Sequence, residues 1–363
     1  MNIKLNRLIK SRGFASISAS LGAILIGLLF GYIILLISNP SEAGFGFMTI
    51  LRGGFNQGVR GVGNGLYMSA PIILTGLSVG FAFKTGLFNI GASGQFILGA
   101  FAAIYVGVKW TFLPDGTVWI AALLAGAIAG ALWAGIVGVL KAYRNVNEVI
   151  TSIMLNYIGM YLVNYMVVQT VFNPTRNESI TPSRAILPKL GLNQIFTNSS
   201  VNIGIILAIV FAIIIYIILE KTTFGFELKA VGYNRDASRY AGINEKRNII
   251  LSMMIAGALS GLGGGILYLS GAGKHIEIVD MLAPEGFNGI PVALLASSHP
   301  IGIIFSGLFI GHLNMGGFYM QRYDFVPEVI DIMIAIIIYF SAFALAFKAF
   351  LEKVSKKKGG KSA

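Results

Sequence analysis

A polar segment of the chain, residues 221–247, carries the side chains best suited to bind another protein. It holds six basic residues, several acids and three glycines, and it is flanked by apolar stretches. Arg235 and Arg239 are four residues apart, so on a helix they share one face and can together meet carboxylates or carbonyl oxygens. We predict a short helix within Glu227–Ala241, lying across a membrane surface. By charge alone, a plain cytosolic loop that follows the positive-inside rule is the favoured interpretation.

Uncharged polar residues inside apolar stretches form a second set that can bind a solute: Asn89, Ser93, Gln95, Asn156 and Asn288. Hydrogen-bonding groups at membrane depth need partners, and a hydroxylated solute that passes through the protein supplies them transiently. Hydrogen bonds between neighbouring helices satisfy such groups equally well. The residues alone leave both interpretations open.

Patterns for catalysis, phosphate binding or metal binding are absent from the sequence. It contains no G-x(4)-G-K-[S/T] phosphate loop, no H-E-x-x-H and no cysteine. Its three histidines are scattered without the spacing of metal ligands. We therefore expect no catalytic residues, no metal and no cofactor in this chain.

The composition is that of a membrane protein. Hydrophobic residues make up 55% and charged residues 12%, with a mean hydropathy of +0.77. Repeated apolar runs of about 20 residues are what a bilayer requires and what a soluble core does not. The net charge of +12 could suggest nucleic acid. However, the basic residues cluster in the termini and between the apolar runs, and no aromatic residues alternate with them in the tails, so we expect no nucleic-acid partner.

The apolar runs predict a single all-α membrane-spanning domain over residues 17–350, with a cytoplasmic tail at 1–16 and a basic one at 351–363. Most of the 27 basic residues then fall on the inner side, which places both termini in the cytoplasm. Residues 39–65 are glycine-rich and predict an outer loop with room for an interfacial helix. The run at 285–297 is short and contains Pro291, which indicates a broken or re-entrant helix. The ten predicted crossings are 17–38, 66–83, 87–108, 118–140, 149–171, 202–219, 248–270, 285–297, 300–318 and 327–350.

Glycines at helical spacing indicate close helix packing. Gly126 and Gly130 form one pair, and Gly257, Gly261 and Gly265 form a ladder. Small residues at such spacing let two backbones approach closely inside a membrane. We assign these glycines a packing role and no chemistry.

Two related motifs suggest an internal inverted repeat. Residues 86–91 read GLFNIG before the third crossing, and residues 286–290 read GFNGI in the eighth. The third crossing runs outward and the eighth inward in the predicted topology, so crossings two to five would repeat seven to ten in the opposite orientation. A chance Phe-Asn pair in a glycine-rich protein explains the residues equally well.

Several of these segments resemble one family of membrane proteins. The stretches Leu74–Ala103, Asn147–Ile158 and Ala256–Ile266 look like membrane segments of ATP-binding-cassette (ABC) importer permeases of the ribose, branched-chain amino acid and nucleoside group. The resemblance covers about residues 72–340. The G-x(4)-A-[AS]-R-x-x-G-I signature of the cytoplasmic coupling loop in that family is matched by Gly232, Ala237, Ser238, Arg239, Gly242 and Ile243.

The resemblance implies a translocation subunit in a bacterial plasma membrane. ATP and Mg²⁺ would then be bound by a separate cytosolic ATPase, which the segment at 221–247 would contact. The family's other partners would be a second, non-identical permease subunit, an extracytoplasmic binding lipoprotein and membrane lipid. The resemblance is greatest to the nucleoside branch, with ribose- or galactose-type sugars as the alternative solutes, and it also favours the inverted repeat. The residues expected to couple the chain to the ATPase are Glu227, Gly232, Arg235, Arg239 and Gly242.

Two other function classes compete with this one. A secondary transporter driven by an ion gradient would also fit ten helices and an inverted repeat. It would usually need ionisable residues at membrane depth, and the predicted mid-span regions have almost none. An intramembrane enzyme would need a nucleophile or metal set, which the sequence does not show.

Overall fold

The computed structural model describes residues 12–342, and this part of the chain is almost wholly helical. Two very short strands, β1 (Phe172–Asn173) and β2 (Glu178–Ser179), pair antiparallel. The first eight helices are α1 Arg12–Ser38, α2 Ala43–Arg52, α3 Gly58–Lys84, α4 Ala92–Lys109, α5 Val118–Arg144, α6 Glu148–Thr170, α7 Leu192–Ile195 and α8 Gly204–Lys221. The remaining helices are α9 Thr223–Tyr233, α10 Arg235–Tyr240, α11 Glu245–Tyr268, α12 Pro284–Phe287, α13 Gly289–Leu295, α14 Pro300–Met320 and α15 Pro327–Ala342.

Seven helical segments within residues 12–342 are long and apolar enough to cross a membrane. The other three predicted crossings correspond to α1, to the short helices α12 and α13, and to α15. The count of ten crossings and the side on which the termini lie therefore stay predictions, and the two tails are outside the described residues. The seven segments are Ala43–Lys84, Ala92–Lys109, Val118–Arg144, Glu148–Thr170, Gly204–Lys221, Glu245–Tyr268 and Pro300–Tyr323.

The outer loop with room for a helix that was expected at residues 39–65 is in fact helical over most of its length. Helix α2 fills its first half, a 3-10 helix at Gly53–Gln57 follows, and α3 begins at Gly58. Glycine in water favours loops, but membrane helices tolerate it because small residues allow tight packing. A Cβ atom on Gly54 would lie 2.9 Å from the carbonyl oxygen of Gly61, so these turns pack backbone against backbone.

Helix α11 lies at the centre of the bundle and contacts α3, α4 and α5. The two predicted glycine stripes meet there: a Cβ on Gly130 would lie 3.0 Å from the Cα of Gly261, and one on Gly126 would lie 3.2 Å from the Gly261 carbonyl oxygen. Lipid tails are as apolar as the helices, so dispersion and shape fit, rather than water exclusion, hold such a contact together. Glycine at these positions lets α5 and α11 touch along their backbones.

Helices α12 and α13 form a broken helix, one of the two forms predicted for this run. They are separated at Asn288 and lie against α3 and α4. A Cβ on Gly289 would lie 2.5 Å from the carbonyl oxygen of Thr75, and one on Gly286 would lie 2.6 Å from the amide nitrogen of Ser93. The broken helix therefore packs closely against both α3 and α4.

The bundle has two distinct ends. Helix α11 has 24 residues, so its ends are about 36 Å apart. Its first residue, Glu245, belongs to the polar segment and lies 3.9 Å from the Arg235 guanidinium. At its other end, the loop after Tyr268 pairs with the segment after α6, where the Ser179 amide donates to the Ile276 carbonyl at 2.9 Å.

Candidate functional site

The polar segment at 221–247 folds as two short helices, α9 and α10, rather than as the single helix predicted within Glu227–Ala241. Asn234 separates them in an extended conformation, and its side chain accepts a hydrogen bond from the Ala237 amide at 2.9 Å. The Thr222 hydroxyl caps α9 in the same way through the Gly225 amide at 3.0 Å. Asparagine and threonine are favoured at such positions because they satisfy the free amides of a first helical turn.

Gly242 ends α10 in the left-handed conformation, with φ of +83°. Its amide donates to the Arg239 carbonyl, and the Ile243 amide donates to the Ser238 carbonyl, both at 3.0 Å. This pair of hydrogen bonds is the Schellman motif, which requires the left-handed backbone conformation at Gly242. Glycine adopts that conformation without strain, whereas most other residues do not. Gly242 therefore turns the chain between α10 and α11.

Three of the five residues expected to meet an ATPase contact the chain itself. The Asn248 amide donates to the Glu227 carboxylate at 3.0 Å. The Arg235 guanidinium donates to the Ala142 carbonyl at 3.3 Å and lies 3.9 Å from the Glu245 carboxylate. The third, Gly232, touches the turn after α3, where a Cβ would lie 2.8 Å from the amide nitrogen of Gly86. These contacts attach α9 and α10 rigidly to α3, α5 and α11.

The outward face of the segment is formed by other residues. Arg239 is exposed, whereas Arg235, four residues earlier on the same helix, is half-buried against α5 and α11. Tyr233 and Tyr240 are 91% and 94% exposed. Sequence analysis missed both tyrosines, although aromatic residues inside a charged segment are a usable signal for a protein interface. Tyrosine is enriched at protein interfaces, so these two exposed side chains make this face a candidate docking surface.

Asn89 and Gln95 form a closed pair of side-chain amides in the interior of the protein. Each donates to the other's side-chain oxygen, at 2.8 and 2.9 Å, and the Asn89 amide also donates to the Ser78 hydroxyl at 3.0 Å. All three side chains are buried. This arrangement satisfies the amides within the protein, so solute contact by Asn89 or Gln95 stays a prediction.

Asn156 and Ser93 also have partners within the chain. The Asn156 side chain accepts from the Gly94 amide at 2.8 Å and donates to the Ile90 carbonyl at 3.0 Å. The Ser93 hydroxyl donates to the Ala283 carbonyl at 2.8 Å. These bonds tie the start of α4 to α6 and to the broken helix. Ser93 also lines a cavity, as described next, whereas Asn156 does not.

A cavity of about 460 Å³ lies at the end of the bundle opposite the polar segment. Its walls come from α4, α6, β2, the end of α11, the loop that follows α11 and the start of α12, and they include Ser93, Asn164, Tyr268 and Glu285. A smaller cavity of about 130 Å³ is lined by Tyr67, Asn288 and again by Glu285. The volume of the larger cavity lies in the range of about 300–1,000 Å³ that is usual for small-molecule sites. Sequence analysis named Asn288 and Ser93 and missed Tyr268 and Glu285.

The contacts of Asn89 and Asn288 predict different effects of the same substitution. In both Asn89→Leu and Asn288→Leu we expect lower solute uptake. Asn89→Leu should also lower the amount of folded permease, because it leaves the buried Gln95 amide without its partner at a cost of about 1–3 kcal/mol. Asn288 is half-buried beside a cavity, so Asn288→Leu should assemble normally. Uptake and the amount of protein in the size-exclusion peak measure the two effects, and normal uptake in both variants would leave these residues with packing roles alone.

Comparison with known proteins finds a matching family and several similar permeases. A family profile described as the permease component of the branched-chain amino acid transport system matches residues 61–342. The chain is 40% identical to the guanosine ABC transporter permease protein NupP of Bacillus subtilis, over 92% of this chain and 95% of that protein. It is 36% identical to the nucleoside permease protein NupB of Lactococcus lactis, over 94% and 96% of the two chains. It is 32% identical to the glucose permease protein TsgB13 of Haloferax volcanii, over 82% and 80%. No solved structure matches the chain.

Proposed function

The chain belongs to the family of branched-chain amino acid transport system permease components, and we propose that it forms the translocation path for nucleosides in an ABC importer. The observation that carries the proposal is the 40% identity to a guanosine permease over nearly the whole of both chains. The protein is a multi-pass protein of the bacterial plasma membrane. It is a permease subunit and not an enzyme.

In this proposal ATP is hydrolysed on a separate cytosolic ATPase, which docks on Tyr233, Arg239 and Tyr240. Docked contacts transmit a rigid-body movement when the docking element is firmly attached to the moving helices. Two observations support such an attachment. Gly232 packs against the Gly86 turn, and that turn is bound to α11 by the hydrogen bond of 2.5 Å between the Thr85 and Ser252 hydroxyls.

We also propose that the chain works beside a second, non-identical permease subunit and receives solute from an extracytoplasmic binding lipoprotein. Apolar side chains on the outer faces of α5 and α6 are well exposed, among them Ile128, Leu132, Ile150 and Met154. Such faces suit both lipid and another permease subunit. Ten crossings with both termini in the cytoplasm would then place the cavity end of the bundle outside the cell.

Cysteine labelling tests this topology. The chain has no cysteine of its own, so single cysteines at Ser183 and Ser355 are the only thiols in each variant. We expect a membrane-impermeant maleimide to label intact cells at position 183 only, because the positive-inside rule puts the basic tail in the cytoplasm. Labelling of position 355 should require permeabilised cells. Labelling of both positions from one side would overturn the ten-crossing topology.

Uptake measurements test the function itself. The permease is expressed with its ATPase, second permease and binding protein in cells that lack nucleoside uptake, and labelled guanosine and glucose are supplied. We expect guanosine uptake that stops with vanadate and persists with a protonophore. Glucose uptake without guanosine uptake would favour the sugar alternative, for which the similarity to TsgB13 is the supporting observation. Uptake abolished by the protonophore and not by vanadate would instead indicate an ion-coupled transporter.

A further inference from the structure

The cavity of about 460 Å³ is lined by more acidic than basic side chains. Three carboxylates line it, from Glu178, Glu277 and Glu285, against Lys274 and His275. Glu178 lies 3.7 Å from the Arg176 guanidinium and 3.9 Å from the His275 ring. Within residues 12–342, the carboxylates of Glu277 and Glu285 form no hydrogen bond or ion pair in the structure. The cavity therefore presents free acceptors and an excess of negative charge.

Glu285 connects the two cavities. It is half-buried at the start of α12 and lines both the larger and the smaller one. The smaller cavity continues from it toward Asn288 and Asn314. A half-buried carboxylate without a partner has lost part of its hydration, so it gains strongly from a donor that a ligand supplies.

The remaining walls suit a flat solute with both apolar and polar surface. Ile97 and Met160 supply apolar surface, and Tyr268 supplies an aromatic ring. In the described part of the chain the Tyr268 hydroxyl makes no hydrogen bond, although its ring packs edge-on against Phe96. Asn164 donates to the Val279 carbonyl at 3.0 Å through its nitrogen, which leaves its oxygen available as an acceptor.

We propose that this cavity is a loading site within a single permease subunit that accepts uncharged nucleosides and rejects their phosphorylated forms. The inference rests on the proposed nucleoside transport and adds a chemical reason why nucleosides are selected over their phosphates. The amino and ring N–H groups of a purine and the hydroxyls of ribose are donors, and each can bond to Glu285 or Glu277. A 5′-phosphate brings negative charge toward the three carboxylates, and repulsion is strong where water is partly excluded. The base can stack on the Tyr268 ring.

Direct binding to the purified permease–ATPase complex, without the binding protein, tests the site. Labelled guanosine is the probe, and guanosine monophosphate is the competitor. We expect the wild-type complex to bind guanosine and to keep it in a hundredfold excess of the monophosphate. Glu285→Gln should weaken guanosine binding about tenfold, since a charge-assisted hydrogen bond becomes a neutral one. It should also let the monophosphate compete.

Two further variants keep the test decisive. Glu277→Gln changes an exposed loop residue and leaves the packed core intact; it should also relax the rejection of the monophosphate. Glu328→Gln is the matched control, because Glu328 is exposed and lies outside both cavities, so it should behave as wild type. Guanosine uptake by the full transporter, combined with wild-type binding and wild-type selectivity in both cavity variants, would overturn the inference. The absence of guanosine uptake by the wild-type transporter would instead refute the proposed function.

Discussion

Gly261→Ala is expected to prevent the permease from folding at normal yield. A Cβ on Gly261 would overlap the Gly126 carbonyl oxygen and lie 3.2 Å from the Cα of Gly130. The atoms in the way belong to the α5 backbone, so no side-chain rotation can relieve the overlap and the two helices must move apart. Overpacking of this kind costs about 1–3 kcal/mol or more. The yield and melting temperature of the permease in a mild detergent measure the effect.

Gly65→Ala is the matched control for this prediction. Gly65 is a helical glycine of α3, and a Cβ there would meet no atom within 4 Å, since the position borders a cavity of about 150 Å³. Alanine is the better helix former by about 1 kcal/mol, so this variant should fold at least as well as the wild type. Equal yields and melting temperatures for the wild type and the two variants would show that the close approach of α5 and α11 is unimportant.

Tyr233→Ala combined with Tyr240→Ala is expected to abolish solute uptake while the permease still folds and inserts. Both side chains are almost fully exposed, so their removal costs the isolated permease little. At a protein interface, a central tyrosine often contributes about 2 kcal/mol or more. Loss of both should therefore weaken ATPase binding by at least about thirtyfold. Recovery of the ATPase in a pull-down with the tagged permease measures the binding, and uptake is measured in parallel.

Phe112→Ala serves as the control for loss of an exposed aromatic side chain. Phe112 is 75% exposed in the turn between α4 and α5, at the far end of the bundle from Tyr233 and Tyr240. This variant should recover the ATPase fully. If the double tyrosine variant recovered it equally well and transported at the wild-type rate, the docking surface would have to lie elsewhere.

The long helices could be predicted from sequence because their formation depends on local chemistry. A backbone in hydrocarbon must satisfy its own hydrogen bonds, so an apolar run such as residues 118–140 becomes a helix whatever surrounds it. Helix ends were less predictable. The crossing predicted from residue 66 begins at Gly58, and the one predicted from residue 87 begins at Ala92, because packing and capping by distant residues decide where a helix stops.

The sequence by itself determined the class of protein, the position of its polar segment and the packing role of its glycine stripes. These features follow from hydropathy, charge and spacing, which are properties of neighbouring residues. Only the tertiary structure decided that Arg235 contacts α5 whereas Arg239 is exposed, and that Asn89 is bonded to Gln95 whereas Asn288 borders a cavity. Each of these outcomes depends on which distant helix a side chain faces. Glu285 is the clearest case, since its two cavities are formed by segments that are far apart in the sequence, from Tyr67 in α3 to Asn314 in α14.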